Sequence, residues 1–445
     1  MKRKIYDRLL SWKRGSNKKP LMIKGARQVG KTYIVREFGS NEYDSFVELN
    51  FILNPEYKDI FDGTLSAEEI YKRLSAQVRG VKLIPNNTLI FLDEIQNCGN
   101  ARTAIKFLAE DGRFDIISSG SLLGLTYAEN GDKDAQVPAS VPTGYEEFIT
   151  MFPMDFEEYL WAEGYNADAI ELLEDYYQSA NTIPSAINNK YLQLFREFIV
   201  VGGMPEVVKA YVANHDFNEV TKVQKQILDN YRFDISKHAK GAEKIKVQAC
   251  YEAIPKQLAK EIKKFQYSTV EKKTTSKKYG GSIKWLIDSS LVNPCYNVST
   301  PNIPLLAYAK QEQFKLYIND TGLLCEMYGF ETKRAILKGT IQGFFKGGIY
   351  ENAIACELLK NGFDLYYYKP NDSRELEFLI EKRGDVIPIE VKAGNNSTKS
   401  LNEFIEEYSP NIGYKFISGN IGFTERKLSL PHYMIIFIMP DHSIY

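Results

Sequence analysis

"GARQVGKT", residues 25–32, lies between the apolar stretch "PLMIKG" and the helical stretch "KTYIVREF". It fits G-x-x-x-x-G-K-[ST] placed after a strand and opening a helix. Gly25 and Gly30 let backbone N–H groups curl around phosphate oxygens. The following helix turns its positive dipole end toward them. Lys31 is expected to reach the β- and γ-phosphates of ATP, and the Thr32 hydroxyl to ligate Mg²⁺. Gly25, Ala26, Arg27, Gln28, Val29, Gly30, Lys31 and Thr32 are thus the candidate nucleotide loop. An ordinary strand–turn–helix yields the same eight-residue pattern now and then, so a second motif has to decide.

That motif is "TLIFLDEI", residues 88–95, an apolar strand ending in two acids. Asp93 is expected to hold Mg²⁺ through water, and Glu94 to orient or deprotonate the attacking water. The two motifs come in the right order, each on the right kind of element. Next, "IISSGS" puts Ser118, Ser119 and Ser121 at the end of a further strand. Such a cluster is an ordinary turn or a γ-phosphate sensor, with Ser119 or Ser121 the preferred residue.

Around these motifs, apolar strands ("SFVELNF", "TLIFLDEI", "FDIISSGS") alternate with helical stretches over the first 160 residues or so. "SAEEIYKRLSAQV" opens with Ser66 and carries Glu69 three residues on, the pattern of a capping box. Continuous apolar strands alternating with helices predict a buried, mostly parallel sheet. The chain has 445 residues, 44% hydrophobic and 25% charged. That length predicts two or three domains. We place an ATPase core at 1–160, a helical and winged-helix-like region at 161–305, and a mixed α/β domain at 306–445. The net charge of −1 means that a nucleic-acid partner must be met by a local basic patch. Five scattered cysteines with no C-x-x-C argue for a reducing compartment and against a zinc site. The basic N-terminus "MKRKIYDRLLSWKRG" lacks an apolar core after it, and "YMIIFIM" at 433–439 is too short to cross a bilayer. A cytoplasmic protein without a membrane partner is expected.

The middle region is mostly helical, interrupted by the Gly-Gly…Pro turn of "VVGGMPEVV". Between Lys256 and Lys284 stand nine lysines (256, 260, 263, 264, 272, 273, 277, 278, 284), against Glu261 and Glu271, with Tyr267, Tyr279 and Trp285 interleaved. The order helix, turn, helix, strand here is that of a winged-helix unit. Such a face suits the phosphates of duplex DNA. The plainer alternative is a solvated lysine-rich helix. Near the C-terminus "IPIEVKAG" sets Glu390 and Lys392 on one face of a strand, because side chains two apart point the same way.

Taken together, "GARQVGKT", "FLDEIQ", "SSGSLLGL", "VPTGY…MFPMDFEEYL", "GGMPEVV", "YRFDISKH", "KLYINDTGLL" and "YENAIACELL…YYYKPN…ELEFLIE…IPIEVKAG" resemble bacterial and archaeal AAA-type ATPases with a C-terminal domain of unknown function. The resemblance covers nearly the whole chain. It implies an AAA-type ATPase core, a helical and winged-helix middle, and a C-terminal domain similar to PD-(D/E)xK nucleases. In such nucleases a helix Glu, a strand acid and an E-x-K gather around one or two Mg²⁺ ions. Carried over, these are Glu351, Glu377, Glu390 and Lys392, with Glu377 and Glu390 as metal ligands. The thirteen-residue step from Glu377 to Glu390, with "EKRGD" between, suits a hairpin turning at Gly384. Glu377 departs from the pattern, which usually has Asp. The extra methylene moves a carboxylate by roughly 1.5 Å, and Mg²⁺ tolerates misplaced oxygens poorly. The alternatives are therefore a cutting site or a degenerate surface that binds DNA or protein.

AAA assemblies commonly supply an arginine from a neighbouring copy, so a homo-oligomer is compatible with the resemblance. This chain has no Arg between Arg113 and Arg196, and Tyr145 stands where a basic residue is usual. Slow basal hydrolysis is the expectation that follows. Arg27 is left as either a phosphate or partner contact or a solvated loop residue.

Overall fold

The structure is a computed structural model that describes residues 1–120, 144–239, 241–393 and 398–440. The chain divides into two compact units, residues 2–152 with 288–290, and residues 153–287 with 291–445 and Met1.

The first unit opens with helix α1 (Lys4–Arg14), followed by β1 (Leu21–Lys24), α2 (Lys31–Glu42), β2 (Ser45–Asn50), α3 (Ala67–Gln77), β3 (Thr88–Asp93), α4 (Gly99–Asp111), β4 (Asp115–Gly120) and β5 (Glu147–Thr150). The five strands form one sheet in the order β2-β3-β4-β1-β5, all parallel. β3 and β4 are buried along their full length, and Leu89–Leu92 of β3 reads as an unbroken apolar run. Between the sheet and its flanking elements lies a core that includes Leu49, Phe51, Ile70, Leu92, Ile105 and Leu108. Ser66 stands at the N-cap of α3 but makes no side-chain cap bond, so the expected capping box is not formed there. The buried face Ile70, Tyr71 and Leu74 holds that helix instead.

The second unit starts with helices Phe156–Ala162, Ala167–Ser179, Ser185–Val201, Pro205–Asn214 and Phe217–His238. The first of these does carry a complete capping box, Asp155 with Glu158. Helices α5 (Ala242–Leu258), α6 (Tyr267–Val270) and α7 (Ser276–Asp288) follow, then strands β6 (Val292–Val298) and β7 (Ala309–Ile318) and helix α8 (Phe344–Lys360). The chain continues with β8 (Tyr366–Asn371), β9 (Arg374–Lys382), β10 (Asp385–Val391), α9 (Lys399–Tyr408), β11 (Gly413–Ile417), β12 (Gly422–Thr424) and β13 (Lys427–Pro431). The eight strands form a mixed sheet in the order β12-β13-β11-β10-β9-β8-β6-β7. β6 and β7 pair with each other, so residues 305 and 306 lie in a connection inside one sheet. Residues Tyr433–Phe437 of "YMIIFIM" fall in the 3₁₀ turn His432–Phe437, whose first five residues are buried. No helix among the described residues is long and apolar enough to cross a membrane.

Candidate functional site

The nucleotide loop grows out of strand register. Ile23 of β1 lies opposite Ser119 of β4, and Leu92 of β3 lies opposite Ser118. The C-terminal ends of β1, β4 and β3 are therefore level, with the loop above them. Gly25 has φ +150°, and a Cβ there would lie 2.2 Å from the Met151 carbonyl oxygen. Only glycine fits that approach. Gly30, at φ +96°, stands at the N-cap of α2 and has no side chain to bond the first amides of the helix. Ala26 and Val29 turn their side chains into the core, so the loop presents backbone above them. Arg3 braces the loop from α1's N-terminal side: Nη1 donates to the Val29 carbonyl (3.1 Å) and Nη2 to the Phe152 carbonyl (2.8 Å).

Lys31 Nζ donates to the carbonyls of Gly25 (3.0 Å) and Ala26 (2.8 Å). Burial pushes its pKa down to about 8, against the support of Glu94 and Asp93, and Arg27 adds a like charge. Asp93, 1% exposed, is a hub for three elements. Its carboxylate accepts from Thr32 Oγ1 (3.0 Å), Asn50 Nδ2 (2.8 Å) and Ser119 Oγ. Burial raises its pKa, while the Ser119 and Thr32 hydroxyls lower it. Ser118 faces away and donates to Met22 Sδ. Ser121 lies outside the described residues. Glu94 follows at φ +55°, and its Oε2 accepts from Gln96 Nε2 at 2.5 Å. Asn50 was not singled out from the sequence. Its signal was the parallel register, which sets it opposite Asp93. Arg102 pairs with Glu146, both buried, and Arg113 with Asp111. Tyr145 lies under the Lys106 ammonium at 5.3 Å.

The C-terminal acids are brought together by the β9–β10 hairpin. Lys382 pairs with Asp385 across the two-residue turn Arg383–Gly384, at φ +53° and +70°. The same register runs through Phe378 opposite Ile389, toward Glu377 beside Glu390. Lys392 Nζ bridges the two, 3.2 Å from Glu377 Oε1 and 3.2 Å from Glu390 Oε1. Glu377 Oε2 also accepts from the Val391 amide at 3.2 Å. Burial first, then the neighbouring Glu377, push the Glu390 carboxyl up to about 7, against Lys392 and Lys415. Burial raises Glu377 too. Glu390 Oε2 has no hydrogen-bond partner among the described residues.

Glu351 of α8, 2% exposed, is held by Lys263 Nζ (2.7 Å), Lys315 Nζ (3.6 Å) and Tyr317 Oη (3.3 Å). Lys315 is fully buried and pairs with Glu375 Oε1 at 2.6 Å, with Lys369 on the far side of Glu375. Burial works against its ionisation, but Lys315 lowers the Glu375 pKa to about 2. The site is thus a carboxylate–lysine network, with a lysine on each acid. No group of three His, Cys, Asp or Glu side chains among the described residues is placed to hold a metal ion. Glu375, Lys315 and Lys263 were not predicted as site residues. Glu375 and Glu377 sit two apart on β9, the one signal that pointed there.

In the lysine-rich stretch, Lys256, Lys260, Lys272, Lys273, Lys277, Lys278 and Lys284 are exposed, whereas Lys263 turns inward to Glu351. Lys278 pairs with Glu271 at 2.7 Å. Tyr279 and Trp285 are buried core residues rather than a stacking surface.

The family model of an AAA domain matches residues 17–160. Two models of domains of unknown function match residues 192–334 (DUF8612) and 346–432 (DUF4143). No curated protein matches the chain. Among solved structures, the chain is similar to the Walker-type ATPase PABY2304 of Pyrococcus abyssi, at 14% identity and TM-score 0.43, covering 74% of this chain and 95% of that one. It is also similar to the Aeropyrum pernix ORC1 protein in complex with DNA, at 13% identity and TM-score 0.27, covering 73% and 90%. The Drosophila ORC bound to DNA is similar at 12% identity and TM-score 0.24, covering 73% and 85%. With a P-loop, an acid-tipped β3 and a five-stranded parallel sheet, residues 17–160, which match the AAA family model, are a P-loop domain of the AAA ATPase type.

Proposed function

We propose that this chain hydrolyses ATP with Mg²⁺ at the loop over β1, β3 and β4, and that nucleotide state governs contact with DNA by its second unit. The observation that carries the first half is the convergence of Thr32, Asn50 and Ser119 on Asp93 beside Lys31. The Thr32 hydroxyl and the Asp93 carboxylate are hard oxygen donors, the kind Mg²⁺ takes. Bound there, Mg²⁺ would neutralise charge on the β- and γ-phosphates. Loop amides and Lys31 bind the phosphates, Glu94 takes the proton of the attacking water, and Ser119 reads the γ-phosphate. Glu94→Gln is expected to keep ATP binding while phosphate release falls on the order of 10²–10⁴-fold. Unchanged turnover in that variant would sink the assignment.

For the second unit, the lysines on Glu351, Glu377 and Glu390 favour binding without cutting. Glu390 Oε2 offers one open buried oxygen. A metal ion held by Glu377 and Glu390, however, would have to take the place of the Lys392 ammonium. We read this unit as a PD-(D/E)xK-like fold whose ion network is structural, with the exposed lysines of the helical, winged-helix-like stretch as its DNA contact. Reversing Lys272, Lys273, Lys277 and Lys278 to Glu should weaken duplex binding and flatten its salt dependence, because each phosphate contact adds to that slope. Unchanged binding removes the DNA assignment. DNA cut in the presence of Mg²⁺ or Mn²⁺, with the cutting abolished by Lys392→Ala, would favour a working nuclease instead.

A further inference from the structure

Gln96 lies on the 3₁₀ turn Ile95–Asn97 that follows β3. Glu94 just before it adopts the left-handed region at φ +55°, a conformation that side chains other than glycine adopt rarely. Such strain persists only where the surroundings over-determine it. One of those surroundings is the Gln96 amide, whose Nε2 donates to Glu94 Oε2 at 2.5 Å. The other side of that amide rests against Gly120, the last residue of β4. A Cβ on Gly120 would lie 2.5 Å from Gln96 Oε1. Two consecutive residues of β4 therefore serve the two acids. Ser119 donates to Asp93, and Gly120 leaves the space in which the Glu94 partner sits.

We infer that Gln96 is the positioning residue for Glu94: seated against Gly120, its amide fixes the carboxylate in the orientation needed to work on the attacking water. A base is effective when a third group orients it, and a misplacement of about 1 Å can cost on the order of 10²-fold in rate. The inference rests on the ATP-hydrolysis reading and adds to it a residue and a seat.

The test is single-turnover phosphate release and ATP-analogue binding for the full chain and its variants. Gln96→Ala is expected to lower the rate about 10- to 100-fold while analogue affinity stays within about twofold. Gln96→Glu keeps the shape but replaces the donor with a second carboxylate, and should lose at least as much. Gly120→Ala should reproduce the loss, and combined with Gln96→Ala should add nothing to it. In a Glu94→Gln background Gln96→Ala should have no further effect, because the group it positions is gone. Wild-type turnover in Gln96→Ala or recovery in Gln96→Glu overturns the inference, as does an equal loss in the Glu94→Gln background. Each of these leaves Lys31-dependent hydrolysis standing. Absence of any turnover that Lys31→Ala removes overturns the ATPase reading and this inference with it.

Discussion

Lys31→Ala is expected to abolish ATP turnover, with a loss of at least about 10²–10³-fold, the cost of deleting one preorganised charge at a reacting phosphate. The ammonium is held by two loop carbonyls, Gly25 and Ala26, in a buried position from which a phosphate could draw it. Its desolvation is large enough to bring its pKa down to about 8. The unliganded loop therefore begins to lose this charge well below the ordinary lysine value of about 10.4. ATP affinity should then fall as pH rises from 7 to 9. Isothermal titration at both values checks this, and Lys31→Arg, which keeps its charge throughout, should flatten the dependence. Equal affinity of wild type at both values would show that Lys31 keeps its charge up to pH 9 despite its burial.

The second large effect concerns stability. Lys392→Met leaves Glu377 and Glu390 buried together without the ammonium that bridges them. Breaking one partner from a buried ion pair costs about 3–5 kcal/mol. The sign of the pH dependence follows from Glu390, whose carboxyl is pushed up to about 7 by burial and the neighbouring Glu377, against about 4.3 in the unfolded chain. Between those values the folded state binds more protons, so stability present at low pH is lost as pH rises toward 7. Without Lys392 the folded carboxyls rise further and the window extends upward. The variant's deficit in chemical denaturation should thus be larger at pH 8 than at pH 5.5. Adding Glu377→Gln removes one of the two charges and should recover most of it. An equal deficit at both pH values would mean that Lys392 acts by packing alone.

The nucleotide loop was legible because its chemistry is local. The P-loop pattern occupies eight consecutive residues, and the two acids stand at and just after the end of β3. The expected hairpin at Gly384 was legible for a similar reason, since a two-residue turn fixes register over the strands it joins. Partners drawn from distant segments were not legible. Asn50 reaches Asp93 only because β2 and β3 are parallel and in register. Lys315 and Lys263 reach Glu351 from a strand and a loop that sequence spacing does not relate. A lysine run reads as solvated surface, and nothing in "AKEIKKF" marks Lys263 as the one that turns inward. Tyr279 and Trp285 were ambiguous in the same way, because helical aromatics serve cores and surfaces alike.

The close approach of Gly25 to Met151 has a consequence for the order in which this domain acquires its shape. The nucleotide loop is encoded by residues 25–32, yet its first residue is pinned by the backbone of residue 151. Its carbonyl at Val29 is tied through Arg3 to residue 152. Strand β5, which brings those residues to the loop, is the last strand of the sheet in the chain and lies at its edge. A nascent chain emerging from the N-terminus first exposes the loop sequence early but cannot set its geometry until some 120 further residues have followed. The geometry of the loop thereby depends on an edge strand that arrives last among the strands of its sheet.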